Sequence, residues 1–296
     1  MNIKTRNAVD GFIMALPWIL GSSVFFYWPI VQTFIYSFES YDVFNPPVWI
    51  GISNYKKLFN DGHFIRSLSN TLFYAGISVP LQIIFALFLA FLVTRKIKGN
   101  TIFKSIYFMP SVIAGVAVAL IWKLMFQGDF GIINNILSYV GISGPPWLDS
   151  VRWAKPALIL MSTWQVGTIM IIYVAAIQNI PKDLYDAAKI DGAGIWTQFI
   201  KITMPMISPV IFFTLIIRTI DSFKIFSQVY ALTYDNPNPP GGPAESTLMI
   251  VVHLYTTAFS LIQMGYASTI AWFLCFCVLS LTLIHFWLSK KWVYHD

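Results

Sequence analysis

Three charged residues lie close together in an otherwise apolar stretch of the chain. Arg218, Asp221 and Lys224 recur every three residues, so on a helix their side chains stay within a stripe about 120° wide. If the stretch spans a membrane, such charges are costly and face protein or water. The spacing predicts either a path for a polar solute, with Arg218 and Asp221 partly paired and Lys224 nearer the external mouth, or a structural ion pair beside a lysine that reaches towards the membrane surface.

Trp164 and Gln165 are a second candidate pair for contact with a polar solute. An aromatic face offers a surface on which a sugar ring stacks, and an amide group offers hydrogen bonds that orient it. For Trp164, packing against a neighbouring helix is the competing interpretation. Both interpretations of Trp164 remain open at the level of sequence.

No cluster of residues in the sequence suggests catalysis or a metal site. Cys275 and Cys277 are two apart in an apolar run, and helical residues two apart do not face each other. The four histidines include no His-Glu-x-x-His pair of metal ligands, and the Gly-x4-Gly-Lys-Ser/Thr loop that binds phosphates is missing. We therefore expect no catalytic residue, no metal, and no nucleotide bound through that loop.

The composition indicates that helices within a membrane position these residues. Hydrophobic residues make up 57% of the 296 residues and charged residues only 11%, which is too apolar for a soluble domain of this length. The net charge of +6 comes from basic residues scattered between apolar runs, so it does not indicate nucleic-acid binding. The chain is predicted to be an all-α integral membrane protein.

Six apolar runs are long enough to cross a bilayer, whose hydrocarbon core needs about 20 helical residues. The first is too long for a cleavable leader and is interpreted as a retained span. A further run, residues 247–263, is interpreted as an external or re-entrant helix, because an odd number of spans would place Lys290 and Lys291 outside. The predicted spans are residues 12–38, 68–94, 102–126, 156–180, 205–226 and 266–288, in one transmembrane domain that covers residues 1–296.

The distribution of basic residues predicts the orientation of these spans. Of the 19 lysines and arginines, more than half fall at the two ends and in or beside the segments that follow the second and fourth spans. Fewer fall in the alternate loops, although those loops are longer. Because basic segments are retained in the cytoplasm, both termini and residues 181–205 are predicted to be cytoplasmic.

Residues 181–205 form a polar island between two apolar blocks. Pro181 suits the first turn of a helix, and Asp183 and Asp186 place negative charge near that helix's positive end. Gly192 and Gly194 are suited to ending it, since glycine tolerates the left-handed conformation. The apolar residues that follow predict a second short helix, which Pro205 closes or bends into the next span. They are Ile195, Phe199, Ile200 and Ile202.

This island resembles the EAA loop of permease subunits in ABC importers. The pattern of that loop is Glu-Ala-Ala, three residues, Gly, nine residues, Ile, one residue and Leu-Pro. Two positions depart from it, with Asp186 in place of the glutamate and Met204 in place of the leucine. The matching positions are Asp186, Ala187, Ala188, Gly192, Ile202, Met204 and Pro205. Matches to carbohydrate-type permeases extend over nearly the whole chain and include Leu16-Pro17, Pro146-Trp147-Leu148 and Gly241-Gly242-Pro243.

The resemblance implies a type I ABC importer permease fold with about six transmembrane helices, in a bacterial or archaeal plasma membrane. It implies that residues 181–205 are a coupling loop that docks into a cytoplasmic ATP-binding subunit. The residues assigned to this docking are Asp186, Ala187, Ala188, Asp191, Gly192, Ala193 and Pro205. The implied partners are a second permease subunit, two ATP-binding subunits that hydrolyse ATP with Mg, an extracytoplasmic solute-binding protein and membrane lipid. This chain then binds no cofactor and is a transport subunit, not an enzyme.

The substrate that the resemblance implies is a sugar or oligosaccharide delivered by the binding protein. Arg218 and Lys224 permit an acidic sugar, although Asp221 offsets one of the two positive charges. A secondary transporter or channel for a small polar solute is the main alternative, and it predicts inverted repeats; no convincing repeat relates the two halves of this sequence. A membrane-embedded enzyme is the third possibility and requires a catalytic constellation that the sequence lacks.

Overall fold

A computed structural model describes residues 3–95, 99–234 and 240–294 of the chain. The first part contains α1 (Ile3–Ser22), α2 (Trp28–Tyr36), β1 (Glu39–Ser40), β2 (Val48–Trp49), α3 (Ser53–Asn60) and α4 (Gly62–Thr94). The middle part contains α5 (Asn100–Phe108), α6 (Gly115–Met125), α7 (Ile132–Tyr139), α8 (Ala154–Trp164) and α9 (Gly167–Gln178). The last part contains α10 (Lys182–Ile190), α11 (Ile195–Gln198), α12 (Met204–Phe223), α13 (Ser227–Thr233), α14 (Ile250–Tyr255) and α15 (Met264–Ser289).

Four helical stretches are each long and apolar enough to cross a membrane. They are Gly11–Tyr36, Gly62–Thr94, Ile195–Phe223 and Met264–Ser289. Two further stretches meet the same criterion only as bent pairs: Asn100–Val112 with Gly115–Met125, bent by 102°, and Ala154–Trp164 with Gly167–Gln178, bent by 45°. The described residues therefore hold four to six candidate spans, which agrees with about six if each bent pair counts as one.

Two helix boundaries differ from the sequence-based expectation. α4 begins at Gly62 and not at residue 68, because its first turns are polar and a search for apolar runs misses them. The helix that starts at Ile195 does not end at Pro205: a π-helical turn, Phe199–Thr203, leads directly into α12. Where π spacing changes to α spacing, one backbone carbonyl has no N–H partner in any case. A proline, which lacks an N–H, is therefore accommodated at that point without the loss of a further hydrogen bond.

The helices divide into two compact units, of which the first comprises Met1–Asp61 and Leu254–Phe273. Its β1–β2 hairpin is antiparallel, with Glu39 opposite Trp49. Asn54 Nδ2 donates hydrogen bonds to the carbonyl oxygens of Ser37 and Glu39 at 3.2 and 2.9 Å. Thr269 Oγ1 donates to the same Ser37 carbonyl at 3.0 Å. These bonds fasten the hairpin to α3 and to the start of α15.

The second unit comprises Gly62–His253 and Leu274–Asp296 and is built around α4. α4 packs against α8, α9 and α12, which explains why about half of its most apolar window is buried (50%). A buried polar stripe runs along this otherwise apolar helix, with most neighbouring members three or four residues apart and therefore on one face. Its members are Ser67, Asn70, Thr71, Tyr74, Ser78 and Gln82.

A close helix crossing accompanies the bend between α8 and α9. Gly167 is the first residue of α9, and a Cβ atom there would lie 2.3 Å from the carbonyl oxygen of Tyr107 and 2.7 Å from Cα of Phe108. Only glycine allows the end of α5 to approach this closely. The crossing holds the bend, at Gln165 and Val166, beside the polar stripe of α4.

Candidate functional site

A cavity of about 230 Å³ lies in the second unit, where α4, α8 and the carboxyl end of α12 meet. Most of the side chains around it are polar, although the chain as a whole is strongly apolar. The lining residues are Tyr74, Gln82, Met161, Ser162, Gln165, Arg218, Asp221, Ser222, Lys224, Ile225, Phe226, Ser227 and Gln228. The cavity thus brings together four of the five residues singled out in the sequence as solute contacts: Gln165, Arg218, Asp221 and Lys224.

The three charged residues reach the cavity from the last turns of α12. Arg218 and Asp221 lie on the helix, and Lys224 is the residue that follows it, with its backbone N–H donating to the Asp221 carbonyl at 3.1 Å. Arg218 is half-buried, whereas Asp221 and Lys224 are exposed. Arg218 and Asp221 form no direct ion pair, although the structure describes both side chains. The side chains of all three therefore line one space as separate charged groups.

Trp164 and Gln165 are adjacent in sequence but differ in position. Gln165 lies at the break after α8 and lines the cavity. Trp164 does not line it; its ring packs edge-on against Trp122 of α6, with ring centroids 5.9 Å apart. The geometry at Trp164 therefore agrees with helix packing.

Several lining residues were missed by the sequence analysis. Tyr74 and Gln82 belong to the polar stripe of α4, and its period of three to four residues was the signal that could have revealed them. Gln228 had no such signal, because it enters the cavity through a tertiary contact with α6. Its side-chain carbon Cδ would lie only 3.1 Å from a Cβ atom at Gly115, so the glycine makes room for the amide.

The lining defines what the cavity is able to hold. Amide, hydroxyl and phenol groups donate and accept hydrogen bonds, and the two cationic groups outnumber the single carboxylate. A guanidinium group matches the geometry of a carboxylate or phosphate. The cavity is therefore suited to a hydroxyl-rich solute, and its excess of one positive charge favours an anionic one. In the described parts of the chain, no group of three His, Cys, Asp or Glu side chains is placed to hold a metal ion.

The polar island at residues 181–205 has the expected helix, glycine break and second helix. α10 ends at Ile190, and the break is closed by a hydrogen bond of 2.8 Å from the Ala193 N–H to the Ala188 carbonyl. Gly192 has a φ angle of +75°, whereas Gly194 has a φ of −67°. Only Gly192 therefore uses the left-handed conformation; Gly194 is extended and precedes α11.

The element from α10 to α11 is braced against α4 and α12. The Tyr185 hydroxyl and Thr203 Oγ1 are 2.9 Å apart, which ties α10 to the π-helical turn before α12. Trp196 of α11 stacks on Phe91 near the end of α4, with ring centroids 5.6 Å apart. Gln198 Nε2 donates to the Ala193 carbonyl at 2.8 Å. These contacts brace the break against α4 and against the π-helical turn before α12.

The outer face of this element is exposed and partly apolar. Large apolar side chains protrude from it: Ile190 is 88% exposed, Trp196 65% and Ile200 63%. Exposed apolar surface of this kind marks a site of contact with another protein or with the membrane. Of the residues assigned to docking, Asp186, Ala187, Asp191 and Gly192 are exposed, and Ala188, Ala193 and Pro205 are half-buried. A hydrogen bond from Lys189, 2.7 Å long, holds the pKa of the Asp186 carboxyl below its usual value.

Comparison with known proteins decides the family. A family model described as "Binding-protein-dependent transport system inner membrane component" matches residues 48–293, which is most of the chain. The chain belongs to this family. YesP of Bacillus subtilis, a probable ABC transporter permease protein, is 39% identical over 98% of this chain and 94% of its own length. LacF of Rhizobium radiobacter, a lactose transport system permease protein, is 35% identical over 98% and 97%.

The fold comparison agrees with this family. A solved bacterial ABC transporter, involved in the import of the acidic polysaccharide alginate, has a chain that matches with a TM-score of 0.83 and 26% identity, over 97% of both chains. The predicted resemblance to ABC importer permeases and the predicted all-α membrane fold are thereby confirmed. The chain is a multi-pass inner-membrane transport subunit and not an enzyme. Dependence on a binding protein also decides against a secondary transporter or channel.

Proposed function

We propose that this permease carries a sugar or oligosaccharide through the cavity, and that an acidic sugar is the best fit. The observation that carries the proposal is the lining, in which Arg218, Lys224 and the amides of Gln82, Gln165 and Gln228 surround one space. Amides bind sugar hydroxyls, and the cations bind a uronate carboxylate. The sugars named for LacF and for the alginate transporter support this substrate class.

The partners that we propose follow from the family and from the exposed element at residues 181–205. A second permease subunit completes the pathway, an extracytoplasmic binding protein delivers the sugar, and two ATP-binding subunits hydrolyse ATP with Mg. α10 and α11 dock into one ATP-binding subunit through the exposed apolar side chains and the residues from Asp186 to Ala193. Because this partner is cytoplasmic, the element lies on the cytoplasmic side of the membrane. With six spans, both termini lie on that side as well. Residues 1–296 then form one six-span permease domain.

Because the element around Gly192 is braced by Tyr185 on Thr203 and by Trp196 on Phe91, movement of the docked element is transmitted to α4 and to the start of α12. Both helices also line the cavity, through Tyr74 and Gln82 on α4 and through Arg218 and Asp221 on α12. Closure of the ATP-binding subunits therefore changes the cavity wall. This link converts ATP hydrolysis into alternating access of the cavity to the two sides of the membrane.

The test is uptake by the complete transporter, reconstituted in liposomes with its binding protein, of two trisaccharides with the same linkage. One is built from galacturonate and the other from neutral galactose. We expect faster uptake of the galacturonate trisaccharide. Arg218→Gln should raise its apparent KM by about tenfold, the worth of a hydrogen bond to a charged group, and leave uptake of the neutral sugar nearly unchanged. Arg152→Gln, which removes a cation outside the cavity, is the control.

Two results would contradict the proposal. Uptake of neither trisaccharide, with ATP hydrolysis still stimulated by the binding protein, would exclude this substrate class. Equal effects of Arg218→Gln and Arg152→Gln would exclude the cavity as the place where the acidic sugar binds.

A further inference from the structure

Residues 240–249, which we call the strap, lie in the second unit and are held to α4 by hydrogen bonds from Asn70 to the carbonyl oxygens of Glu245 and Leu248. We propose that Glu245 is a positioning residue for transport: its carboxylate fastens the strap to α4, and release of this contact opens one end of the cavity to solute. The inference rests on the proposed role of the cavity as the solute path. It concerns access to the cavity and does not depend on which solute enters.

Glu245 is held by one face of α4 through both its side chain and its backbone. Its Oε2 accepts a hydrogen bond from Arg66 Nη1 at 2.9 Å, and its Oε1 lies 2.5 Å from His63 Nδ1. Its carbonyl oxygen accepts a hydrogen bond from Asn70 Nδ2 at 2.8 Å. His63, Arg66 and Asn70 are successive members of one helical face. A single carboxylate thus closes a polar contact between the strap and the first turns of α4.

The same end of the cavity is joined to α8. Lys155 Nζ donates to Asn70 Oδ1 at 3.0 Å, so Asn70 binds the strap with one end of its amide and α8 with the other. The residue after the strap is also held by α4, since the Ile250 N–H donates to Thr71 Oγ1 at 3.0 Å. Strap, α4 and α8 are therefore interlocked by hydrogen bonds at this end.

The strap shares a buried apolar cluster with part of the wall of the cavity. Its Leu248 and Met249 belong to the same buried apolar cluster as Tyr74, Met161 and Ile225, and those three residues line the cavity. On α4, Asn70 is about one turn from Tyr74. A strap that leaves its place therefore disrupts the cluster to which three lining residues belong, and we expect solute to gain access from that end.

The fastened strap is also strained. Ala244 and Glu245 have φ angles of 48° and 60°, a left-handed conformation that is unfavourable for residues with a Cβ atom. Such strain persists only where surrounding contacts hold it. At Glu245 the holding contacts are those to His63, Arg66 and Asn70. Loss of the carboxylate contacts lets the strap relax, so the fastened state is poised to open.

The side of the membrane follows from the predicted topology. The segments that contribute to the contact, around Arg66, around Lys155 and the strap itself, are all predicted to be external. The contact then lies on the side from which the binding protein delivers sugar. Docking of that protein is the event that we expect to release Glu245.

The experiment measures access to the cavity directly and needs no sugar. Ser162, which lines the cavity, is replaced by cysteine in a Cys275→Ala, Cys277→Ala background of the complete transporter in spheroplasts. The rate of its modification by a membrane-impermeant cationic methanethiosulfonate reagent reports access from outside. We expect Glu245→Gln to raise this rate about tenfold, since it removes charge-assisted hydrogen bonds. Arg66→Gln should also raise it, and the double variant should equal the faster single one, because both break the same contact.

Asp149→Asn, which removes an exposed carboxylate from the segment between α7 and α8, is the matched control and should leave the rate unchanged. The exchange Arg66→Glu with Glu245→Arg should restore a slow rate. Unchanged labelling in both single variants, or additive increases in the double variant, would overturn the proposal. If labelling behaves as expected but no trisaccharide is taken up, the substrate proposal fails and the role of Glu245 stands. The reverse outcome, with uptake intact and labelling unaffected, rejects Glu245 alone.

Discussion

The joint between α10 and α11 offers a test in which two neighbouring glycines respond differently. A Cβ atom at either Gly192 or Gly194 would meet nothing within 4 Å, so alanine creates no clash at either position. The φ angle separates them, because Gly192 is at +75° and Gly194 at −67°. Gly192→Ala should therefore cost about 1–2 kcal/mol of local backbone energy, a left-handed strain that Gly194→Ala does not incur.

This cost is large enough to measure through the proposed contact with the ATP-binding subunit. A change of 1–2 kcal/mol shifts an equilibrium by a factor of about 5–30, so the fraction of molecules with the correct joint falls by up to that factor. We expect the affinity of the permease for the isolated ATP-binding subunit to fall accordingly, together with ATP hydrolysis stimulated by the binding protein. Gly192→Asn should be milder, since asparagine tolerates the left-handed conformation.

The measurement is titration of detergent-purified permease with the ATP-binding subunit, followed by ATP hydrolysis in liposomes. Equal losses for Gly192→Ala and Gly194→Ala would refute the reasoning, because backbone conformation would then not be the cause. Full affinity and activity in Gly192→Ala would show that the joint does not control docking.

Two further predictions concern packing and charge. Gly167→Ala places a methyl group against the carbonyl of Tyr107 and should lower the free energy of unfolding by about 1–3 kcal/mol. This loss is measured as a lower Tm in detergent. Gly76→Ala is the control and should cause no such loss, because its Cβ would meet nothing within 4 Å. The pKa of the Asp186 carboxyl is depressed in the folded protein. Its hydrogen bond to Lys189 is therefore fully present above the unfolded pKa of about 4, and it is lost only as pH falls through the lower folded pKa. Affinity for the ATP-binding subunit should therefore not change through Asp186 between about pH 6 and pH 8. An affinity loss across that range in the unaltered protein, absent in Asp186→Asn, would contradict this.

Much of the fold could be predicted because the apolar residues that define a membrane helix lie within one continuous stretch of sequence. Long apolar runs locate α4, α12 and α15, and the glycine break after α10 follows from backbone preferences that do not depend on distant residues. The helix boundaries were harder to predict. α4 starts at Gly62 in a polar turn that is stabilised by Glu245, a residue far along the chain, and the helix through Pro205 continues because a π-helical turn precedes it.

The lining of the candidate cavity could likewise be predicted only in part. The spacing of Arg218, Asp221 and Lys224 could be recognised from sequence because all three lie on one short stretch. The position of Trp164 against Trp122, and of Gln228 against Gly115, depends on which helices cross, and no local pattern encodes that.

The sequence by itself therefore determined the class of protein, the likeness to ABC importer permeases and the joint at Gly192, since hydropathy, charge distribution and glycine conformation act within a few residues. Only the tertiary structure decided that α4 contributes a polar wall to the cavity and that Glu245 holds the strap against it. The contacts of Glu245 with α4 join residues more than a hundred positions apart, and the formation of the wall depends on how the helices pack.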